Sequence, residues 1–429
     1  MERFDVLVLG GGAAGCVVAR RLADRGADVC LVEAGPDYGP FGSSGWPAEM
    51  VEARTLPMTH LWESAADDRS SSRARIIGGC SAHNACMIFR GEPRDYDEWG
   101  PGWTYAELEP YLDRAEEAIG TRPGIAPVPA PWHRAAVESA RREGVEGGPF
   151  PANARDGVRW NAAFAYLDPV RDRVSIRADT LVERVDAPRV HTDRGVLEAA
   201  SIVLAAGAYG TPAILLRSGV GDELPVGENL VDHPGVGVRW APTPRLAADT
   251  AAHEREHGPL FQAHTALTPP DLHLLPWTNP AESGYEVSMA VFFLKPHSRG
   301  RVTLTSEDPS APPRIEHGFL ADGRDVEPLV RGLEVARSLA AAEPLAAYVE
   351  AETAPGDQDL EAYVHANVRG YFHPVGTCAL GSVCDRQGRV LGHEALVVAD
   401  ASLLPTIPRA NTHLSVLAVA EKVAEALPG

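Results

Sequence analysis

The chain has 429 residues and is 45% hydrophobic, enough to bury a large core and to fill two or three domains. Its formal net charge of −20 argues against nucleic acid and against an anionic membrane surface as partners, and is read as an acidic surface. The six cysteines are scattered with no Cys-x-x-Cys pair, which suits reduced thiols in a cytosol and neither a disulfide framework nor a zinc site. No secretory leader precedes the first strand, no apolar run reaches the length of a membrane span, and no metal site is expected.

In chain order, residues 4–9 (Phe-Asp-Val-Leu-Val-Leu) read as a buried strand. Gly10, Gly12 and Gly15 follow with G-x-G-x-x-G spacing, with Ala13 and Ala14 between them. Residues 13–25 read as a helix with small residues toward the strand, and 28–32 as a second strand ending at Glu33 and Ala34. The spacing has a physical purpose. Gly10 permits a tight turn, Gly12 lets backbone approach a pyrophosphate, and Gly15 lets helix pack on strand. The helix N-terminus attracts phosphate, and Glu33 suits ribose hydroxyls while repelling an extra 2′-phosphate. The unit predicts a bound dinucleotide but does not separate NAD from FAD.

Further on come Arg75-Ile76-Ile77-Gly78-Gly79-Cys80-Ser81-Ala82-His83-Asn84-Ala85-Cys86-Met87, and strand-like runs at 174–176, at Val182 and at 202–206. Ala206-Gly207-Ala208-Tyr209-Gly210-Thr211-Pro212 continues to Gly221, and Gly227-Glu228-Asn229-Leu230-Val231-Asp232-His233-Pro234 follows. Candidate strands lie at 287–294 and 301–305, and 326–342 reads as an amphipathic helix. The proline-rich, weakly periodic stretch 242–283 predicts long loops over a site. Near the end stand Tyr371-Phe372-His373-Pro374-Val375-Gly376-Thr377-Cys378, a buried strand at 396–399 closed by Asp400-Ala401, Pro408-Arg409-Ala410-Asn411-Thr412-His413, and a helical run at 414–427.

These motifs, in this order and over nearly the whole chain, resemble the glucose–methanol–choline (GMC) oxidoreductases, a flavoenzyme family. The resemblance implies FAD rather than NAD. It implies an α/β fold with a discontinuous Rossmann-like FAD-binding domain and a smaller α+β substrate domain built on an antiparallel sheet, as in p-hydroxybenzoate hydroxylase. The expected division is FAD-binding 1–95, a cap or substrate segment 96–150, FAD-binding 151–235, a substrate domain 236–345, and FAD-binding 346–429.

The resemblance implies that the flavin is held by the 78–87 loop (Gly78, Gly79, Cys80, His83, Asn84, Ala85 and Cys86), by Val182, Ala206 and Gly207, and by Asp400, Ala401, Thr412 and His413. In choline oxidase-like members the histidine at the place of His83 is bonded to the flavin C8 methyl, so attachment through His83 is implied. The alternative is a His83 that packs beside the ring or bonds to backbone. Cys80 and Cys86 read as small buried fillers.

Alcohol oxidation by flavin needs a base for the hydroxyl proton, a C–H bond facing flavin N5, and a donor for the developing alkoxide. His373 stands at the place of the family's catalytic histidine, and its side chain can titrate near neutrality. Asn411 stands at the second active-site place; an amide cannot be the base but can bond the substrate oxygen. Asn411 also precedes a helix, so a plain N-cap is the competing reading. His413 is the lesser alternative hand on substrate or flavin. His60, His133, His253, His257, His264, His273, His297 and His393 fit no motif and read as solvated or structural, and Trp62, Trp99 and Trp103 as packing residues.

The implied function is oxidation of a small alcohol to a carbonyl, with oxygen or another electron acceptor reoxidising the flavin. A mycofactocin-linked or other oxygen-independent alcohol dehydrogenase, or a lyase of the same fold with structural FAD, are the alternatives. After His-Pro-Val-Gly-Thr-Cys the chain continues Ala379-Leu380-Gly381, where relatives often carry a basic residue and Met, and the cap is abbreviated. Both departures count against choline itself. A cytoplasmic location is expected, and the oligomeric state is left open.

Overall fold

The computed structural model describes residues 2–62, 71–125, 128–258, 265–281 and 284–428. Two sheets organise it. The first has eight strands, with Glu2–Leu9 at its centre. Val29–Val32 pairs with it in parallel on one side and Gly195–Leu204 on the other. Val174–Arg177 and His393–Val398 extend the parallel ladder outward on the two flanks. Arg389–Val390 closes one edge antiparallel, and the hairpin Val182–Asp186 and Arg189–Thr192 joins Gly195–Leu204. Parallel neighbours need crossovers, so the sheet draws strands from distant parts of the chain. The class is α/β, as the motifs predict.

The central strand is buried throughout Val6–Leu9. One cover is Ala13–Asp24, whose buried residues Ala14, Gly15, Val18 and Ala19 are small enough for close approach. Its partner is the last helix, Thr412–Ala426, buried along most of its length. Arg21 bridges the two by a bidentate pair to Glu421 at 2.6 and 2.7 Å, and the Glu421 side chain is fully buried.

The second sheet has seven strands and is antiparallel throughout. Leu272–Ala281 and Gly284–Phe293 pair along their whole length, with His273 opposite Phe292. Alternation then divides the sheet into two faces. Leu272, Leu274, Val287, Met289 and Val291 enter a core with Trp132, Leu329, Leu333 and Ala336 from the helices Pro131–Arg142 and Val326–Ala341. Leu275, Trp277, Ala290 and Phe292 face the other way, into a cluster with Phe89, Phe150 and Tyr371. That face looks toward the site.

Several sequence expectations need correction. The stretch 242–283 is not mainly loop: it holds the helix Pro244–His257 and the strands Thr265–Leu267 and Leu272–Ala281. Pro244 reads as a breaker in sequence, but it occupies the first turn of its helix, and the Thr243 hydroxyl caps the Leu246 N–H at 3.3 Å. Arg301–Thr303 is a strand, as expected but two residues shorter, and pairs antiparallel with Arg314–Glu316 in a ribbon of its own. The segment 96–150 divides between the two cores, with Leu108 and Leu112 in the first and Trp132 and Ala136 in the second. His264 lies outside the described residues.

One ion-pair cluster ties these parts together. Asp95 is fully buried and pairs with the Arg409 guanidinium, accepts the Arg409 N–H at 2.8 Å, and meets Lys295 at 3.5 Å. Arg409 also reaches Asp271 at 2.5 Å, next to the strand that carries His273. The loop before Asn411 is thus clamped to the helix Pro93–Asp97 and to the second sheet.

Candidate active site

The nucleotide cradle is built from close backbone contacts. Gly10 has φ +107°, and a Cβ there would come within 2.6 Å of the Ala205 carbonyl oxygen. A Cβ on Gly15 would stand 1.9 Å from the Gly10 carbonyl oxygen. Gly79, at φ +53°, would press a Cβ to 2.7 Å from the Gly12 Cα. The two glycine loops therefore lie against each other, joined by the Gly78 N–H to the Gly11 carbonyl at 2.8 Å. Gly12 itself has ordinary clearance, its nearest neighbours being 3.9 Å from a built Cβ.

Glu33 is buried, and its carboxylate accepts the N–H groups of Gly11 and Gly35, each at 2.8 Å. Burial pushes its carboxyl up to about 7, opposed by those two bonds. Each carboxylate oxygen keeps a further lone pair for ribose hydroxyls. Val182 lies two residues beyond Thr180, whose N–H meets the Glu33 carbonyl at 2.9 Å. Asp400 is different. Its two oxygens accept from the Gly207 N–H, the Thr211 hydroxyl, the Ser402 N–H and the Ser402 hydroxyl at 2.6–2.8 Å. Its carboxylate is spent within the protein, so Asp400 and Ala401 offer backbone alone. Ala206 and Gly207 adjoin Gly10, and Ala34 accepts from Arg75 at 3.0 Å.

The 78–87 loop is pinned from below by Arg159. This fully buried guanidinium donates to the carbonyls of Met50, Glu52, Thr55 and Asn84. Asn84 orders the loop further, accepting the Cys86 N–H at 2.9 Å and meeting His413 Nδ1 at 3.4 Å. Cys86 is buried as expected, but Cys80 is exposed, because the turn at Gly79 directs it away from the core. His83 Nε2 and His413 Nε2 are buried without a hydrogen-bond partner among the described residues. Both rings are held near pKa 4, first by burial, and for His83 also by Arg159. A Gly-lined cradle, an acid at the second strand end and inward orphan nitrogens fit a flavin dinucleotide.

At the other end of that groove His373 and Asn411 come together. Asn411 is at the N-cap position of Thr412–Ala426, yet its side chain makes no cap bond. Its Nδ2 instead lies 3.0 Å from His373 Nε2, and its Oδ1 is buried without a partner among the described residues. The geometry thus decides against the plain N-cap.

His233, quoted in a motif but given no role, is the missing third group. Its Nε2 lies 3.1 Å from the Pro408 carbonyl oxygen, which can only accept. Nε2 therefore carries the proton, and Nδ1 is the acceptor. His373 Nδ1, 3.0 Å away, must then donate. The consequence is that His373 Nε2 carries the free lone pair and takes the Asn411 N–H. This tautomer is assigned from hydrogen bonds, and it is the one a base needs.

Asp232 fixes both rings through the backbone, its Oδ1 accepting the N–H groups of His233 at 2.8 Å and His373 at 2.9 Å. Burial raises its carboxyl to about 6, with Arg73 opposing. Phe372, between Tyr371 and His373, adopts φ +65°, a left-handed conformation held by these bonds and by the Tyr371 N–H to the His233 carbonyl at 3.0 Å. Donor atoms of Asp232, His233 and His373 lie within 4.8 Å of one another, which would also suit a metal ion. Both ring nitrogens of each histidine are already bonded, so ligation would break the chain.

The His373 pKa is depressed well below 6.5, chiefly by burial and then by His233, His273, Arg73 and His413. It stays neutral at any pH above that lowered value. The rate of flavin reduction by a substrate is therefore expected to be level from pH 8 to 6.5 and to fall only in more acid solution. Anaerobic stopped-flow across pH checks this; an acidic limb centred above pH 6.5 would contradict the geometry.

Of the two readings of His273, solvated or structural, the first is excluded: it is 3% exposed, and its ring lies 4.8 Å from Phe89 and 6.2 Å from Tyr371. Its only signal in sequence was a polar side chain at a buried place in a strand. Trp99 and Trp103 are packed inside, with indole N–H groups bonded to Thr406 and Arg386, while Trp62 stays on the surface under Arg75.

The chain is similar to known proteins along most of its length. The chain matches GMC oxidoreductase over residues 4–235 and again over 296–420. It belongs to the GMC oxidoreductase family. It is 31% identical to 5-(hydroxymethyl)furfural oxidase of Methylovorus sp. (strain MP688), across 99% of this chain and 98% of that one. It is 28% identical to choline oxidase of Arthrobacter globiformis, across 99% and 94%. Among solved structures, pyridoxine 4-oxidase from Mesorbium loti superposes with a TM-score of 0.84 at 25% identity, covering 99% of each chain. The chain is thus an FAD-dependent oxidoreductase of CH–OH donors. No helix among the described residues is long and apolar enough to cross a membrane.

Proposed function

We propose that the protein oxidises a small alcohol to its carbonyl, with His373 Nε2 taking the hydroxyl proton and Asn411 orienting the oxygen. FAD, when bound, supplies the hydride acceptor at N5. The observation that carries this reading is the hydrogen-bond chain from the Pro408 carbonyl through His233 to His373, which leaves the Nε2 lone pair beside the Asn411 amide. The alcohol would insert between these two groups. Its oxygen would accept from Asn411 Nδ2 and its proton would face His373 Nε2. As the alkoxide develops, the Asn411 donor strengthens and the proton rests on a ring whose other nitrogen is held by His233. The relatives named above, two oxidases of alcohols among them, support this reading. The test is an alcohol panel mixed with the yellow protein without oxygen, then with it. Bleaching followed by recovery supports an oxidase; bleaching without recovery supports a dehydrogenase with another acceptor. A flavin that no alcohol bleaches counts against both and favours a lyase.

The flavin is proposed to be attached through His83. The support is an Nε2 buried without a partner among the described residues, on a ring kept neutral and therefore nucleophilic. Acid-precipitated protein is expected to keep its yellow colour, and His83→Ala to release it into the supernatant. Free FAD from the parent protein would rule attachment out.

A further inference from the structure

On the reading that the site oxidises an alcohol, the face of the second sheet that looks toward His373 is where the rest of the substrate would lie. His273, Leu275 and Trp277 alternate along one strand onto this face, and Phe292 stands opposite His273 on the next. Tyr371 stacks on Phe292 with centroids 3.7 Å apart and planes 6° apart, and its ring lies 4.2 Å from that of His373. Tyr371 is thus a wall shared by the base and by His273. The compartment is aromatic, with Phe89 behind His273.

Its polar atoms are few. Trp277 Nε1 and His273 Nδ1 are buried without a hydrogen-bond partner among the described residues, while the Tyr371 hydroxyl is turned to the Asn411 side chain. An indole N–H only donates, and a neutral imidazole donates from whichever nitrogen carries its proton. A buried donor left without an acceptor is costly, so these atoms mark a place where a ligand atom completes them. Burial alone shifts His273, and burial shifts Tyr371 with its hydrogen bond to Asn411 opposing.

We propose that the substrate is an aromatic alcohol bearing a hydrogen-bond acceptor on its ring, such as a ring nitrogen, and that His273, carrying its proton on Nδ1, is the residue that reads this acceptor. The ring lies along Tyr371, the carbinol reaches His373 and Asn411, and the acceptor takes the His273 N–H. His273 is a specificity residue and takes no part in proton removal.

The probes are benzyl alcohol and the 3- and 4-pyridinemethanols, compared by anaerobic flavin reduction. Acetophenone with 3- and 4-acetylpyridine, which cannot be oxidised, are compared by perturbation of the flavin spectrum. A net hydrogen bond predicts that one pyridine isomer of each pair is favoured over the plain ring by about 3- to 10-fold in apparent affinity. In His273→Leu that ratio should fall to about one, whatever happens to the absolute rates. In His273→Gln, which keeps a donor, part of it should return. No preference in the parent protein, or a preference that survives His273→Leu, overturns the proposal. If no alcohol reduces the flavin, the oxidation reading fails, but the ketone pair still reads His273: a preference lost in His273→Leu supports its role, and none overturns it.

Discussion

Replacing His373 by alanine is expected to slow anaerobic flavin reduction by roughly 10²–10⁴-fold at neutral pH, the usual contribution of a positioned general base. FAD should remain bound, because the cradle is made by Gly10, Gly15, Glu33 and the 78–87 loop, well apart from His373 in sequence and in bonding. Asn411→Ala should cost less in proton removal, since His373 keeps its lone pair. It takes away the donor 3.0 Å from Nε2 and leaves the alcohol oxygen loosely placed. His233→Ala gives a sharper test of the tautomer argument. Without an acceptor at His233 Nδ1, the His373 proton is no longer confined to Nδ1, and a fraction of the rings present N–H where the lone pair is needed. Stopped-flow with a substrate deuterated at the carbinol carbon separates these cases. If His373→Ala reduces its flavin as fast as the parent does, the base lies elsewhere.

Asp95→Ala is expected to lower stability by about 3–5 kcal/mol, the range for removing one partner of a buried ion pair. Asp95 is fully buried, and its loss strands the Arg409 guanidinium, which is only 12% exposed, between Asp271 and the protein interior. The Arg409 N–H loses its acceptor too, in the loop that carries the Pro408 carbonyl and leads to Asn411. Urea unfolding at neutral pH measures the effect. Asp113→Ala is the control: Asp113 also meets an arginine, at 2.6 Å, but is 63% exposed and should barely move the midpoint. Equal effects from the two substitutions would show that burial of Asp95 does not matter.

What could be read in the sequence follows from the range of the interactions. The strand–glycine–helix–acid unit is local, so the residues that form it are consecutive and their reasons are backbone reasons. The helix Val326–Ala341 and the strand His393–Val398 announce themselves by apolar pattern, the helix within a residue and the strand within three of where they fall. The Pro244–His257 helix does not, because proline at a first turn and proline in a loop look alike in sequence. His373 and Asn411 stand in recognisable motifs, yet their meeting at 3.0 Å depends on tertiary structure. His233 was in plain view, but its role depends on a carbonyl at Pro408, 175 residues away. His273 is the extreme case. Nothing local separates it from a structural histidine, and only the sheet brings its ring against Phe89 and Tyr371.

The order of strands in the first sheet bears on how the protein is made. Gly195–Leu204 lies beside the central strand, but its outer neighbour His393–Val398 is synthesised nearly two hundred residues later. The buried face of Ala13–Asp24 waits still longer for Thr412–Ala426, and the partner of Arg21 arrives only with Glu421. On the ribosome, then, the amino-terminal half carries an unpaired strand edge and an uncovered apolar helix through most of translation, the exposure that draws chaperones and invites aggregation. Flavin loading belongs to the completed polypeptide, and yields in a foreign host should respond more to chaperone supply during elongation than to riboflavin in the medium.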